Sequence, residues 1–140
     1  MVSSEILIHG SLEKTFSEVE KVMRKTFKVP KGEELLLVEK TQYMGSGKEK
    51  VKMKQVVSEY EKNKNITFDS FFAQDKIVTT YRFRPEGEEF TYVTLEENAY
   101  SSKTSRKYNY MLMTLPLLRN GAMKKLKRQL TSLKTMIEGE

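Results

Sequence analysis

The sequence predicts an α+β fold: a curved antiparallel sheet with one helix near the N-terminus and a long C-terminal helix packed across it. Three observations carry this expectation. Apolar residues recur at helical spacing near both ends of the chain. Between residues 35 and 95 they alternate with polar residues at strand spacing. The turns between the alternating runs are too short to hold the crossover helices that a parallel sheet needs.

Taken in order, the run Glu5 to His9 is short, apolar and strand-like. Ser11 follows Gly10 as a candidate N-cap, since a serine hydroxyl can accept from an amide one turn into a helix. Leu12, Phe16, Val19, Met23 and Phe27 then mark one face of an amphipathic helix of about four turns. Pro30 ends it, because the residue before a proline resists the helical region. Leu35 to Met44 reads as a strand, and Gly45-Ser46-Gly47 as a turn. Val51, Met53, Gln55 and Val57 alternate with a lysine-rich outer face at Lys50, Lys52 and Lys54. Asn63-Lys64-Asn65 turns the chain into the alternation Ile66, Phe68, Ser70, Phe72. Gln74-Asp75 turns it again into Ile77, Thr79, Tyr81, Phe83, and Pro85-Glu86-Gly87 precedes a last strand from Phe90 to Leu95. Leu112, Leu115, Met123, Leu126, Leu130, Leu133 and Ile137 restore a helical stripe, with Lys124, Lys125, Lys127 and Arg128 on its outer side. Pro116 and Asn120-Gly121 interrupt this stripe, so a kink or break is expected there.

In this layout the chain resembles the helix-grip superfamily shared by START domains, birch-allergen-like proteins and polyketide cyclases (the SRPBCC group). The resemblance is carried by the opening EILIHGSLEKTFSEV, by the hairpin series from Leu35 to Leu95, and by the terminal YMLMTLPLLRNGAMKKLKRQLTSLKTMI. It spans most of the chain as a likeness of layout, and more narrowly the chain looks like small bacterial members filed as domains of unknown function. Such folds usually place six strands between their helices. Five are counted here, so a further strand in Ala99 to Tyr108, or one long bent strand, is expected. Cystatin-like and NTF2-like folds put their long helix first, and a PH-like barrel lacks a helix at Leu12–Phe27.

Composition narrows the function. The 140 residues are 38% hydrophobic and 31% charged, which suits one domain with a real core, spanning residues 1–140. Cysteine is absent, which excludes disulfides, thiolate zinc sites and cysteine nucleophiles. With one histidine, a His-rich metal site is excluded too, and no cofactor is implied. No apolar run approaches the roughly 18–20 residues of a membrane span, and the polar, acidic N-terminus is unlike a secretory signal. The expected location is cytoplasmic. The net charge of +6 is uneven: residues 1–100 carry 16 basic and 17 acidic side chains, residues 101–140 carry 9 and 2. The C-terminal helix therefore has a basic face, extended upstream by Lys103, Arg106 and Lys107. No aromatic interleaves that face, so it lacks a stacking platform for bases and reads as a solvated helix face rather than a nucleic-acid site.

The helix-grip resemblance implies a cavity for an apolar or amphipathic ligand between the sheet and the last helix. The residues on hand to line it are Met53, Phe68, Phe72, Tyr81 and Phe83 on the strands and Met111, Met113 and Met123 near the helix face. Methionine repacks easily around varied ligands. A filled core made of the same residues is the competing reading. Tyr43, Tyr81 and Tyr92 are candidate hydrogen-bond donors, as cyclase-type relatives use them. Arg119 falls on the apolar stripe if the helix continues through Gly121, where a guanidinium would need an acidic or anionic partner. If Asn120-Gly121 breaks the helix, which is the favoured reading, Arg119 points to water. His9 has no identifiable catalytic companion and reads as an edge histidine. Glu96 and Glu97 are adjacent, hence on opposite faces of a strand, and no phosphate loop or Ser–His–Asp set is present.

The leading reading is a non-catalytic domain that binds a small hydrophobic or amphipathic ligand, anionic if Arg119 faces it. The ligand-binding residues expected are Arg119, Tyr81, Tyr92, Phe68, Phe72, Phe83, Met53 and Met123, with no catalytic set and no metal. The chain is expected to be a monomer or homodimer. A cyclase- or hydratase-like enzyme on the same fold is the alternative, followed by an interaction module using the basic C-terminal helix.

Overall fold

A computed structural model describes residues 1–44, 51–72, 75–101 and 116–139, with side chains at all of these except 44, 51, 101 and 116–120. The elements run β1 (Val2–His9), α1 (Leu12–Phe27), β2 (Glu39–Met44), β3 (Val51–Glu61), β4 (Asn65–Phe72), β5 (Asp75–Glu86), β6 (Phe90–Ser101) and α2 (Pro116–Glu138). The strands form one antiparallel sheet in the order β1-β6-β5-β4-β3-β2. β2 to β6 are thus a meander, and β1 returns to pair with β6, from Val2 opposite Glu97 to His9 opposite Phe90. This is the helix-grip fold.

Helix α1 forms where its spacing and caps dictate. The Ser11 hydroxyl accepts from the Lys14 amide at 3.1 Å. Lys28 closes the far end in the left-handed conformation, its amide donating to the Arg24 and Lys25 carbonyls. The Arg24 guanidinium then ties down the following loop by donating to the carbonyls of Pro30 and Glu33. Phe16, Val19, Met23 and Phe27 face the sheet and are buried.

β2 starts later than its apolar run suggests. Leu37 adopts a left-handed conformation, φ 67°, and is 68% exposed, while Leu35 is 2% exposed. The turn is held by the Val38 amide donating to the Leu35 carbonyl, so Leu35 plugs the core before the strand begins at Glu39. β3 runs on to Glu61 because a bulge between Val57 and Glu59 absorbs an extra residue. The bulge returns Tyr60 to the concave face, where it meets Phe16 edge-on at 5.7 Å. β5 keeps Pro85 and Glu86, leaving the turn to residues 87–89 with Gly87 at φ 69°. Among the described residues five strands lie between the helices and no further one: Ala99 to Ser101 extend β6, and residues 102–110 lie outside the described residues.

No break separates Asn120 from Gly121: α2 is one helix from Pro116 to Glu138. Proline is tolerated in the first turn of a helix, where its missing N–H has no intrahelical acceptor. The asparagine and glycine are carried by the packing further along. Leu126, Leu130 and Ile137 are buried, with Ala122, Met123 and Leu133 packed against the same core. α2 rests mainly on β1, at the edge of the sheet, with lesser contact to β6 and α1. Its C-terminal end is anchored to β1: the Glu138 carboxylate accepts from the His9 amide at 2.8 Å, and Lys134 donates to the Leu7 carbonyl at 2.9 Å. No helix among the described residues is long and apolar enough to cross a membrane.

Candidate functional site

Because α2 lies toward β1, the concave centre of β3, β4 and β5 is only partly covered. Strand alternation points Phe68, Ser70 and Phe72 of β4 and Ile77, Thr79 and Tyr81 of β5 into this space. With Met53 and Gln55 of β3 they line a chamber of about 260 Å³. Glu97 of β6 and Lys125 and Gln129 of α2 complete it. A second, larger groove of about 480 Å³ opens between the two helices. α1 contributes Val22, Met23 and Thr26 to it, and α2 contributes Arg128, Gln129, Ser132, Leu133 and Met136. Phe68, Tyr81 and Gln129 line both spaces, so the two adjoin across these side chains.

The other half of the interior is filled. Phe83 meets Phe16 edge-on at 5.0 Å and is buried with Val93 and Leu95 in the core between α1 and the sheet. The interior is thus packed under α1 and grooved under the outer flank of α2.

The polar groups of the open part are few and distinct. Tyr81 is the central one. Burial, and then the nearby Glu97 charge, raise its pKa above the ordinary tyrosine value, so its hydroxyl stays a neutral donor. The Glu97 carboxylate is itself held by Lys125 at 3.4 Å. Its neighbour Glu96 faces the other side of the sheet and pairs with Arg82 at 3.2 Å. The Gln55 amide donates to the Ser70 hydroxyl at 3.0 Å. The chamber is thus about evenly polar and apolar, whereas the larger groove between the helices is mainly apolar.

Of the residues expected to bind a ligand, Met53, Phe68, Phe72 and Tyr81 converge on these grooves. Three others stand elsewhere. Phe83 shares the phase of Tyr81, but Phe16 of α1 covers it. Tyr92 lies on the opposite face of β6, because Val93 and Leu95 take the inward positions; the Arg84 guanidinium sits over its ring at 4.3 Å. Met123 packs against the core beneath α2. Arg119 lies in the first turns of α2, but its side chain is outside the described residues, as are Met111 and Met113. Tyr43 is exposed on edge strand β2. His9 is exposed and stacks on Phe90 at 4.8 Å. Among the described residues no group of three or more His, Asp or Glu side chains could hold a metal ion.

Sequence reasoning reads Lys125 and Arg128 only as part of a solvated basic face and does not single out Gln129, Ser132 and Met136, although a signal for them is present. Lys125, Gln129, Ser132 and Met136 recur at spacings of four, three and four, one position before the core stripe Leu126, Leu130, Leu133, Ile137. Val22 and Thr26 flank Met23 and Phe27 on α1 in the same way.

A family model described as a domain of unknown function (DUF3284) matches residues 2–117. No curated protein matches the sequence. Among solved structures, TTHA0849 from Thermus thermophilus is similar with a TM-score of 0.60 at 17% identity, over 99% of this chain and 97% of that one. Norcoclaurine synthase from Thalictrum flavum, solved with dopamine and hydroxybenzaldehyde, has a TM-score of 0.60 at 9% identity, over 99% and 86% of the two chains. The Zhui aromatase/cyclase from Streptomyces sp. R1128 has a TM-score of 0.56 at 9% identity, over 97% and 94%. At these identities the likeness is one of fold.

Proposed function

The chain belongs to the DUF3284 family of domains of unknown function, and from that premise we propose that it binds a small apolar or amphipathic molecule in the grooves between α2 and the concave sheet. The observation that carries this reading is the contrast inside one domain. The interior under α1 is packed, whereas Phe68 and Tyr81, on the same inward phase, touch the core on one side (Phe68 meets Phe27 edge-on at 6.0 Å) and front about 480 Å³ of space on the other. Apolar walls so placed gain by excluding water with a ligand. Tyr81, Gln55 and Ser70 supply neutral hydrogen-bonding groups that would orient it. The fold has such occupants elsewhere: norcoclaurine synthase was solved with two aromatic molecules.

A cyclase- or hydratase-like reaction is the second reading. It is favoured by one observation, the half-buried Tyr81 and the Glu97 carboxylate lining the same chamber.

Native mass spectrometry of freshly purified protein, before and after denaturation, tests for a carried ligand. A titration with N-phenyl-1-naphthylamine tests the site itself. Gln129 lines both grooves and is exposed, so Gln129→Trp occludes them without disturbing the core. Saturable dye binding in the natural chain that is lost in Gln129→Trp is the expected result. Dye binding unaffected by that substitution would place the dye elsewhere and overturn the proposal.

A further inference from the structure

We propose that the ligand is an amphipathic anion, its charged group held by Arg128 at the rim and its apolar body lying on Phe68 and Tyr81. The inference rests on the ligand-binding reading above and names the chemical class that reading leaves open.

The larger groove is lined by one charged side chain, Arg128. Among the described residues no carboxylate pairs with it. Lys125, one turn earlier on the same helix flank, is different: Glu97 holds it at 3.4 Å. Of the two cations that α2 presents to the grooves, the protein itself neutralises one and leaves the other beside an apolar wall. A ligand whose body displaces water from that wall lowers the dielectric around the guanidinium and strengthens its attraction for an anion. The guanidinium fork suits a carboxylate, sulfonate or phosphate with two parallel hydrogen bonds. Ser132, one turn further on, adds a hydroxyl donor at the same rim, while the Thr26 hydroxyl across the groove on α1 already donates to the Val22 carbonyl at 2.9 Å.

The smaller chamber sets the orientation. There the Glu97 carboxylate and Lys125 already neutralise each other at 3.4 Å, so an anionic group placed in that chamber finds no unpaired cation. Apart from that ion pair, Tyr81, Gln55 and Ser70 offer hydrogen bonds without charge. The inner end of the ligand is therefore neutral, and its charge lies at the helix rim.

Two dyes with a shared aromatic frame separate the possibilities: 1-anilinonaphthalene-8-sulfonate, and N-phenyl-1-naphthylamine, which lacks the sulfonate. Arg128→Gln is expected to weaken the sulfonate dye roughly three- to tenfold, in the range for a charge-assisted contact at a partly exposed site. The neutral dye should bind as before. Lys124→Gln and Lys127→Gln, on exposed positions outside the grooves, should change neither. Arg128→Gln leaving the sulfonate dye's affinity unaltered would overturn the inference, as would an equal loss in the two lysine variants, which would mean general charge attraction. If the neutral dye binds and the sulfonate gains nothing from Arg128, the anion inference alone fails. If neither dye binds, the ligand-binding reading falls with it.

Discussion

Thr15 offers a test of the packing at the point where β1, α1 and α2 meet. Its side chain is 0% exposed, and its hydroxyl oxygen has no hydrogen-bond partner among the described residues. The space around it is tight and apolar. A Cβ added at Gly10 would lie 3.0 Å from that oxygen, 3.5 Å from Ile137 Cγ2 and 3.9 Å from Ile8 Cγ2. A buried hydroxyl without a partner forgoes its hydrogen bonds to water, a penalty of about 1–3 kcal/mol. Thr15→Val puts a methyl group in nearly the same volume and removes that penalty. Part of the gain is offset because a methyl is wider than an oxygen beside Gly10. The expected net effect is a stabilisation of about 1 kcal/mol, roughly 3–5 °C in Tm for a chain of this size. Urea unfolding followed by circular dichroism reads it as a higher midpoint at unchanged slope. Thr15→Ser is the matched control: it keeps the hydroxyl, loses a buried methyl, and should destabilise by about 1 kcal/mol. A Thr15→Val protein no more stable than the natural one would refute the reasoning, since the hydroxyl must then be satisfied in the folded state.

Tyr60 and Gly121 supply two further tests. Burial first, then the hydrogen bond its hydroxyl donates to Glu20, push the Tyr60 pKa up from 10.0 to about 12. The folded chain holds this proton more tightly than the unfolded one, so the stability it contributes is complete below pH 10 and is lost as pH rises toward 12. In an ultraviolet titration of the seven tyrosines, Tyr60→Phe should remove an ionisation from the final alkaline step; an unchanged final step would contradict the assignment. Gly121 lies inside α2, and a Cβ there would meet nothing within 4 Å. Gly121→Ala should therefore stabilise the chain by about 0.5–1 kcal/mol through helix propensity, and a lower thermal midpoint would show that α2 is not continuous at that point.

The layout was open to the sequence because it is a matter of period. Spacings of three and four mark α1 and α2, alternation marks the strands, and Ser11 and Pro30 bound α1; these are local properties of neighbouring residues. The same alternation by itself puts Phe68, Phe72 and Tyr81 on one inward face. What lies over that face is a long-range matter. Phe83 and Tyr81 are two residues apart on one strand, yet one is covered by Phe16 and the other fronts a groove, because α1 crosses the sheet at the first and α2 leans toward β1 beside the second. The bulge that turns Tyr60 inward, the left-handed Leu37 that delays β2, and the meeting of Glu97 with Lys125 each depend on partners distant in the chain. Arg128 shows the division most plainly. Its sequence places it on the outer side of an amphipathic helix, and only the seat of that helix at the sheet's edge turns an outer position into the rim of a groove.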